Sequence, residues 1–340
     1  MKKSDTPALD RKPTQRTVAD AAGFAVTTVS RALAGDPLIA EKTRAKISEV
    51  ARELGYEPDR AAQRLRTGRT NVIALVLDPH GEILDFAGTM VTGFAEVVRD
   101  TRYHLNLTQY QLGEDPMRPI RHIVRNRLAD GVVFARTEPQ DKRVEYLLEA
   151  GFPFVTHGRT NLASHAWYDY DNATFAHQAV DRLIAKGRRR ILIIPPATRY
   201  SFSTHMMEGF RTALAQQDDA RQIPVDFDLN SPASEIYEKL KVRFTQPDAP
   251  DGVICPGEIA AMAALAAIED QDLALGKDID VVAKQTSQVF DLHRPRIETI
   301  HEDIEAAGRV MAKLLLAEID GASTHTRQIL QSPATPSSGF

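Results

Sequence analysis

The chain is short of the residues on which secreted proteins and most enzymes depend. It has one cysteine, Cys255, among 340 residues, which excludes an internal disulfide framework and fits a reducing compartment. It contains no run of 18 apolar residues, so no membrane-spanning helix is expected. The opening MKKSDTPALDRKPTQR is charged throughout and lacks the apolar core of a secretory signal. These features point to the cytoplasm. The sequence also lacks G-x-S-x-G, G-x-x-x-x-G-K-[ST] and G-x-G-x-x-G motifs. His301-Glu302 opens like a zinc-protease motif, but position 305 is Glu rather than His, and the ten histidines are scattered. No metal, cofactor or enzymatic activity is expected.

What is present is unevenly distributed. Residues 1–70 carry 14 Lys and Arg against 9 Asp and Glu, a net of +5, while the remainder carries a net of −9. A basic head on an acidic body fits polyanion binding confined to one end. Within the head, residues 15–22, 26–33 and 41–54 read as short helices, with stops at Gly23, Gly35-Asp36-Pro37 and Gly55. Ile47, Val50, Ala51 and Leu54 share a face of the third. Two helices joined by a tight turn containing Gly form the helix-turn-helix pattern. A short basic segment follows at 59–68. From Asn71 onward, apolar runs at 72–77, 104–110, 131–135, 152–157, 190–194, 251–255 and 278–283 alternate with amphipathic stretches. That alternation predicts parallel sheets covered by helices, and its length predicts two lobes with a cleft between them. Phe86, Met90, Phe94 and Val97 mark a helix face that packs on a sheet or on a second copy.

Residues 13–33, PTQRTVADAAGFAVTTVSRAL, and 41–76, EKTRAKISEVARELGYEPDRAAQRLRTGRTNVIALV, resemble the lactose-repressor (LacI/GalR) family of bacterial transcription regulators. A looser likeness continues through DGVVFA, FPFVTHGR, DYDN, MEGFRTAL and IETIHEDIEAAGRVMAKLL. The resemblance implies an all-α helix-turn-helix DNA-binding head joined to an α/β two-lobed, periplasmic-binding-protein-like effector domain with three crossover strands. It divides the chain into an N-terminal extension (1–13), the head (14–57), a hinge helix and linker (58–70) and the effector and dimerisation domain (71–335). The first lobe is then expected at 71–168 plus 296–323, and the second at 169–295 plus 324–335. Implied partners are a palindromic double-stranded operator, a small-molecule effector, commonly a sugar, and a second copy of the chain. Release of DNA by an inducer and capture of DNA by a corepressor both fit the head and cleft, and an activator does so too. A solute-binding protein would lack the head.

The residues support those roles physically. Val26, Thr27 and Arg31 match base-facing positions; Arg31 can offer a guanine two parallel hydrogen bonds, worth roughly 1–3 kcal/mol of discrimination, and Val26 can meet a thymine methyl. Thr28 and Ser30 match backbone-contacting positions. In the hinge segment, Leu65 matches a leucine wedged into the minor groove, with Arg60, Arg64 and Arg66 near phosphates; a basic linker is the other reading. Ala25 and Ala40 stand where Ser N-caps are usual, and Thr17 replaces a first-turn acid. For the effector, Arg159 follows a strand end that faces the cleft, and it can fork hydrogen bonds to vicinal hydroxyls or a carboxylate. Met206 stands in place of a ligand-binding arginine, and Asp171 is an N-cap or a ligand contact. Arg136, Phe202, His205, Glu258 and Gln285 are further candidates, with Trp167 as a stacking platform. Met206 favours a neutral sugar or glycoside over an anion.

Overall fold

The computed structural model describes residues 13–57, 64, 67–77, 83–110, 113–162, 165–322 and 327–333. It divides into two compact units, Met1–Thr70 and Asn71–Phe340.

In the first unit, three helices, α1 (Gln15–Ala22), α2 (Val26–Leu33) and α3 (Glu41–Glu53), close over a small core. Val18, Ala19, Ala22, Val29, Ala32, Ile47 and Ala51 fill it, and Val50 and Leu54 pack at its margin. The expected departure at Thr17 turns out to be a working cap. The Thr14 Oγ1 accepts the Thr17 N–H at 3.3 Å and the Thr17 Oγ1 accepts the Thr14 N–H at 3.2 Å, a reciprocal capping box. Ala25 and Ala40 cap α2 and α3 with no side-chain bond.

The second unit holds two parallel sheets. The first lobe contains β1 (Val72–Leu77), α4 (Phe86–Val98), β2 (His104–Gln109), α5 (Met117–Arg125), β3 (Gly131–Phe134), α6 (Lys142–Glu149), β4 (Phe154–His157) and β5 (Ala166–Tyr170). The second contains α7 (Asn172–Ala185), β6 (Arg190–Ile193), α8 (Ser201–Leu214), β7 (Arg221–Ile223), α9 (Ala233–Phe244), β8 (Gly252–Cys255), α10 (Glu258–Glu269), β9 (Asp280–Gln285) and β10 (Glu298–His301). The chain then returns through α11 (Ile304–Ile319) and β11 (Gln328–Gln331). Strand orders are β11-β5-β4-β3-β1-β2 and β10-β9-β8-β6-β7.

Strand pairing corrects the expected division of the lobes. Residues 298–301 are expected in the first lobe, but Glu298 pairs with Val282 and His301 with Gln285 in the second sheet. Residues 328–331 are expected in the second lobe, but Gln328 pairs with Trp167 and Gln331 with Tyr170 in the first. A parallel strand goes where its preceding crossover helix packs. Ile304, Ala307, Met311 and Leu315 of α11 are buried in the first-lobe core, so β11 must follow them. Of the three expected crossings, two fall among the described residues, at 170–172 and 301–304.

The face Phe86, Met90 and Phe94 is core rather than interface, with Val97 partly buried beside it. It meets α11 through a glycine pair. A Cβ on Gly93 would lie 2.0 Å from the Glu305 carbonyl oxygen, and one on Gly308 would lie 2.4 Å from that of Met90. Both sheets reverse strand order beside their first strand, between β1 and β3 and between β6 and β8. Such switch points open a crevice at the carboxyl ends of parallel strands. Arg136 follows β3, and Glu258 follows β8.

Candidate DNA-reading helix and ligand cleft

On α2 the helical repeat turns Val29 and Ala32 into the core and leaves Val26, Thr27 and Arg31 exposed, with Thr28 and Ser30 half-buried. Val26 is 43% exposed. The Arg31 Nε lies 2.8 Å from the Asp36 carboxylate. Arg64 is helical and exposed, whereas Arg60, Leu65 and Arg66 lie outside the described residues.

The cleft is built from loops after β3, β4 and β6, the end of β5, and the first turns of α8. Arg136 adopts a left-handed backbone (φ +51°), a conformation that non-glycine residues keep only where surroundings impose it. The imposing contact is Arg143, whose Nη2 donates to the Arg136 carbonyl at 2.9 Å while the buried Asp141 holds the same guanidinium at 2.6 Å. So fixed, the Arg136 Nη1 donates to Asn230 Oδ1 (3.2 Å) and lies 3.4 Å from the Tyr200 hydroxyl, with its guanidinium 5.3 Å from the Tyr200 ring centre. Phe202 stacks on Tyr200, the ring centres 5.6 Å apart and the planes 14° from parallel. The Ser201 N–H, at the start of α8, donates to the Thr137 carbonyl at 2.9 Å and joins the lobes.

Arg159, Asp169 and His205 form the second cluster. The Arg159 Nε is 3.0 Å from Asp169 Oδ2, yet its N–H points at His205 Nδ1, 3.3 Å away. Asp169 Oδ2 is therefore ion-paired but has no aligned hydrogen-bond donor, and the buried Ser201 Oγ has none either. Burial pushes the Asp169 carboxyl up to about 7 against the pull of Arg159, and the Glu302 charge adds to the rise. Burial, then the Arg159 charge, lowers the His205 imidazole. A neutral His205 accepting at Nδ1 carries its proton on Nε2.

Two sequence candidates do other work. The Glu258 carboxylate is fully buried and takes the Thr286 N–H (3.0 Å) and hydroxyl (3.1 Å), the Ser287 N–H and hydroxyl (both 2.8 Å), and the Leu84 N–H of the first lobe (3.2 Å). Five donors exhaust its lone pairs, so it clamps a loop rather than offering itself to a ligand. The Gln285 Nε2 is likewise spent on the Ser287 carbonyl (2.7 Å) and Asp291 (2.9 Å). Trp167 stands half-buried in β5, two residues before Asp169 on the same face. Met206 packs in the second-lobe core, and Asp171 is the N-cap of α7, accepting the Thr174 N–H at 3.0 Å.

Asp169, Tyr200 and Asn230 were not foreseen. Asp169 lies in the short strand AWYDY, which the sequence does not mark as a strand, and Asn230, in a loop, carries no signal either. A further buried group lies where the chain crosses between lobes. Lys284 Nζ sits 2.9 Å from Glu302 Oε2 and donates to Asn172 Oδ1 at 2.6 Å, over the rings of Tyr170 and Phe175. His157 of β4 approaches Glu302 at 3.8 Å, and burial lowers its imidazole.

Comparison with known proteins agrees with this architecture. Residues 14–59 match the family model described as bacterial regulatory proteins, lacI family, and residues 180–338 match a periplasmic binding protein-like domain. The chain is 30% identical over 323 residues, 92% of its length and 90% of the relative's, to the HTH-type transcriptional regulator AglR of Rhizobium meliloti (strain 1021). It is 29% identical to the HTH-type transcriptional regulator CelR of Thermobifida fusca, covering 95% of this chain and 96% of that one. Among solved structures, a CelR–cellobiose complex superposes with a TM-score of 0.68 at 24% identity, covering 95% of this chain and 98% of that one. The lac repressor dimer bound to operator and the anti-inducer ONPF gives 0.78 at 19% identity, with 95% and 97% covered.

Proposed function

Because this chain belongs to the lacI family of bacterial regulatory proteins, we propose that it is a cytoplasmic, homodimeric repressor released from a palindromic operator by a neutral sugar or glycoside. The observation that carries the DNA-binding half is the exposed face of α2. Val26, Thr27 and Arg31 project from a helix held by its opposite face, as a major-groove reader requires. In this reading Arg31 meets a guanine, Val26 a thymine methyl, and Thr28 and Ser30 the phosphates. Leu65 is the minor-groove wedge, flanked by Arg60, Arg64 and Arg66. Pairing two small heads over a palindrome doubles the buried DNA surface.

The effector class follows from the charge state of the cleft. Arg159, read alone, suits a hydroxyl pair or a carboxylate equally; Asp169 within 3.0 Å, titrating at about 7, offsets its charge in part. An arginine beside an acid offers donors and an acceptor with its charge reduced, which suits a polyol better than an anion. Asp169 Oδ2 and Ser201 Oγ, buried and lacking aligned donors, are the atoms that a sugar's hydroxyls would satisfy. Arg136, Arg159, His205 and the Tyr200–Phe202 stack complete the set. Glu258 and Gln285 shape it indirectly, and Trp167 lies beside it on β5. Inducer binding favours the arrangement of the body in which the hinge segments separate.

The test is selection of purified protein against random duplex DNA, then displacement with neutral sugars, glycosides, sugar acids and purines. A palindrome released by a neutral sugar is the expected result. DNA bound only when a compound is added would convert the mechanism to corepression, and release by sugar acids alone would overturn the effector class. Absence of any enriched DNA, or consumption of the sugar, would overturn the repressor reading itself.

A further inference from the structure

Helix α2 ends in a Schellman turn. The Gly35 N–H donates to the Ala32 carbonyl (3.0 Å) and the Asp36 N–H to the Arg31 carbonyl (3.1 Å). This pattern requires the left-handed backbone that Gly35 supplies (φ +75°). The turn folds Asp36 back beneath the last turn of α2. There its Oδ2 accepts from Arg31 Nε at 2.8 Å, while its Oδ1 accepts the Leu38 N–H at 2.9 Å. One carboxylate oxygen is thus anchored to the backbone and the other holds the arginine. Arg44 of α3 is the other cation nearby, donating to the Gly35 carbonyl at 3.4 Å and attracting the same carboxylate. The bond from Arg31, and then the Leu38 N–H, keep the Asp36 carboxyl below the ordinary carboxylate range, so the pair is ionised at neutral pH.

The Arg31 and Asp36 side chains are 50% and 26% exposed, and an ion pair so wetted adds little to folding. Its consequence lies in what it leaves available. A guanidinium has five N–H donors; Asp36 takes the one on Nε, and the two terminal nitrogens remain as a fork. That fork matches O6 and N7 of guanine. An untethered arginine must surrender its rotamer freedom when it reads a base, whereas a tethered one has surrendered part of it beforehand.

We propose that Asp36 is a positioning residue for base recognition, holding Arg31 by Nε so that its terminal nitrogens face one guanine in each half-site. The inference rests on Arg31 reading a base, as proposed above. Simple charge repulsion predicts the opposite outcome, since removing an acid beside DNA should tighten binding regardless of sequence.

The experiment uses the full chain, the operator recovered by selection, and duplexes in which each base pair is changed in turn. Arg31→Ala is expected to erase the preference at one base pair per half-site. Asp36→Ala should weaken parent-operator binding roughly 2- to 10-fold per half-site, shrink the preference at that same pair alone, and leave the salt dependence unchanged. Asp36→Asn should do likewise while keeping an acceptor for the Leu38 N–H, so the turn stays folded. Tighter binding by the Asp36 variants, or an undiminished preference at the pair that Arg31 reads, overturns the positioning role and leaves base reading by Arg31 standing. Intact preference at every pair in Arg31→Ala overturns base reading, and the positioning role with it.

Discussion

At Asp169, burial and pairing act in opposite directions, and burial prevails. The carboxyl is 3% exposed, and its one close cation, Arg159, directs its N–H toward His205 instead. Glu302 adds repulsion and Lys284 some attraction, and the balance brings the group to about 7. The folded protein therefore holds this proton more tightly than the unfolded chain does. Its cost to stability is absent below the ordinary carboxylate range, grows as pH rises toward 7, and is fully present above that. Asp169→Asn removes the charge at nearly constant shape. It is expected to stabilise the body at pH 8, by at most about 4 kcal/mol, and to change little at pH 4. Urea unfolding at the two pH values checks this; an equal effect at both would mean that the carboxylate is not strained. The same substitution puts an amide donor in place of one of the two carboxylate acceptors offered to a sugar hydroxyl, so effector affinity should fall even as stability rises.

The helices of the head differ in how their first turns are satisfied. α1 has its reciprocal Thr14–Thr17 box, whereas α2 and α3 begin at Ala25 and Ala40 with no side-chain acceptor. Ala25 already has the extended backbone that a capping serine adopts (φ −63°, ψ 147°), and Ala40 is close to it (φ −53°, ψ 139°). Ala25→Ser and Ala40→Ser should each therefore add about 1 kcal/mol without rearrangement. For a unit this small, that raises the melting temperature of the head by roughly 4–8 °C. Differential scanning calorimetry of the full chain reads it as an upward shift of the head transition, and an unmoved transition would show that these helix ends are already satisfied. The body's helices are limited by contact instead. Gly93 and Gly308 let α4 and α11 approach until backbone meets backbone, so any side chain there forces the helices apart.

Across the whole body, the lobes are joined by polar groups that the chain draws together from distant positions. Lys284 of β9, Glu302 beyond β10, Asn172 at the start of α7 and His157 of β4 meet at the crossovers, and Glu258 reaches from α10 to the Leu84 N–H. Lys284 is buried, and its pairing with Glu302 balances two desolvated charges. Lys284→Met should cost about 3–5 kcal/mol, because it strands the Glu302 carboxylate rather than because the pair is intrinsically strong. In Lys284→Met/Glu302→Gln, with no stranded charge, most of that loss should return. Chemical denaturation of the two single variants and the double checks the cycle. Additive losses would show that the pair is not coupled.

Much of this architecture is local and was therefore readable in the chain. Helix stops at Gly23 and Gly35, the basic head, the apolar runs of the central strands and the outward position of Arg31 all depend on neighbours a few residues away. The short or polar strands at 166–170, 221–223, 298–301 and 328–331 escaped that reading. A strand with little apolar signal becomes a strand only by pairing with one already in place. The same reason accounts for the exchange of the last two strands between lobes, since sequence order does not say which sheet a crossover helix covers. Candidate ligand residues divided similarly. A strand end placed Arg159 at the cleft, but whether a polar group is available or spent depends on partners far along the chain. Glu258 is spent on Thr286, Ser287 and Leu84; Asp169, unnoticed, retains an oxygen without an aligned donor. The sequence by itself determined the family, through motifs that run along the head, and the three head helices with the exposed face of α2, because helical periodicity acts over single turns. Tertiary structure alone decided the charge state of the cleft and which of its polar atoms lack a hydrogen-bond partner, because burial and ion pairing are set by residues that meet only when the chain folds.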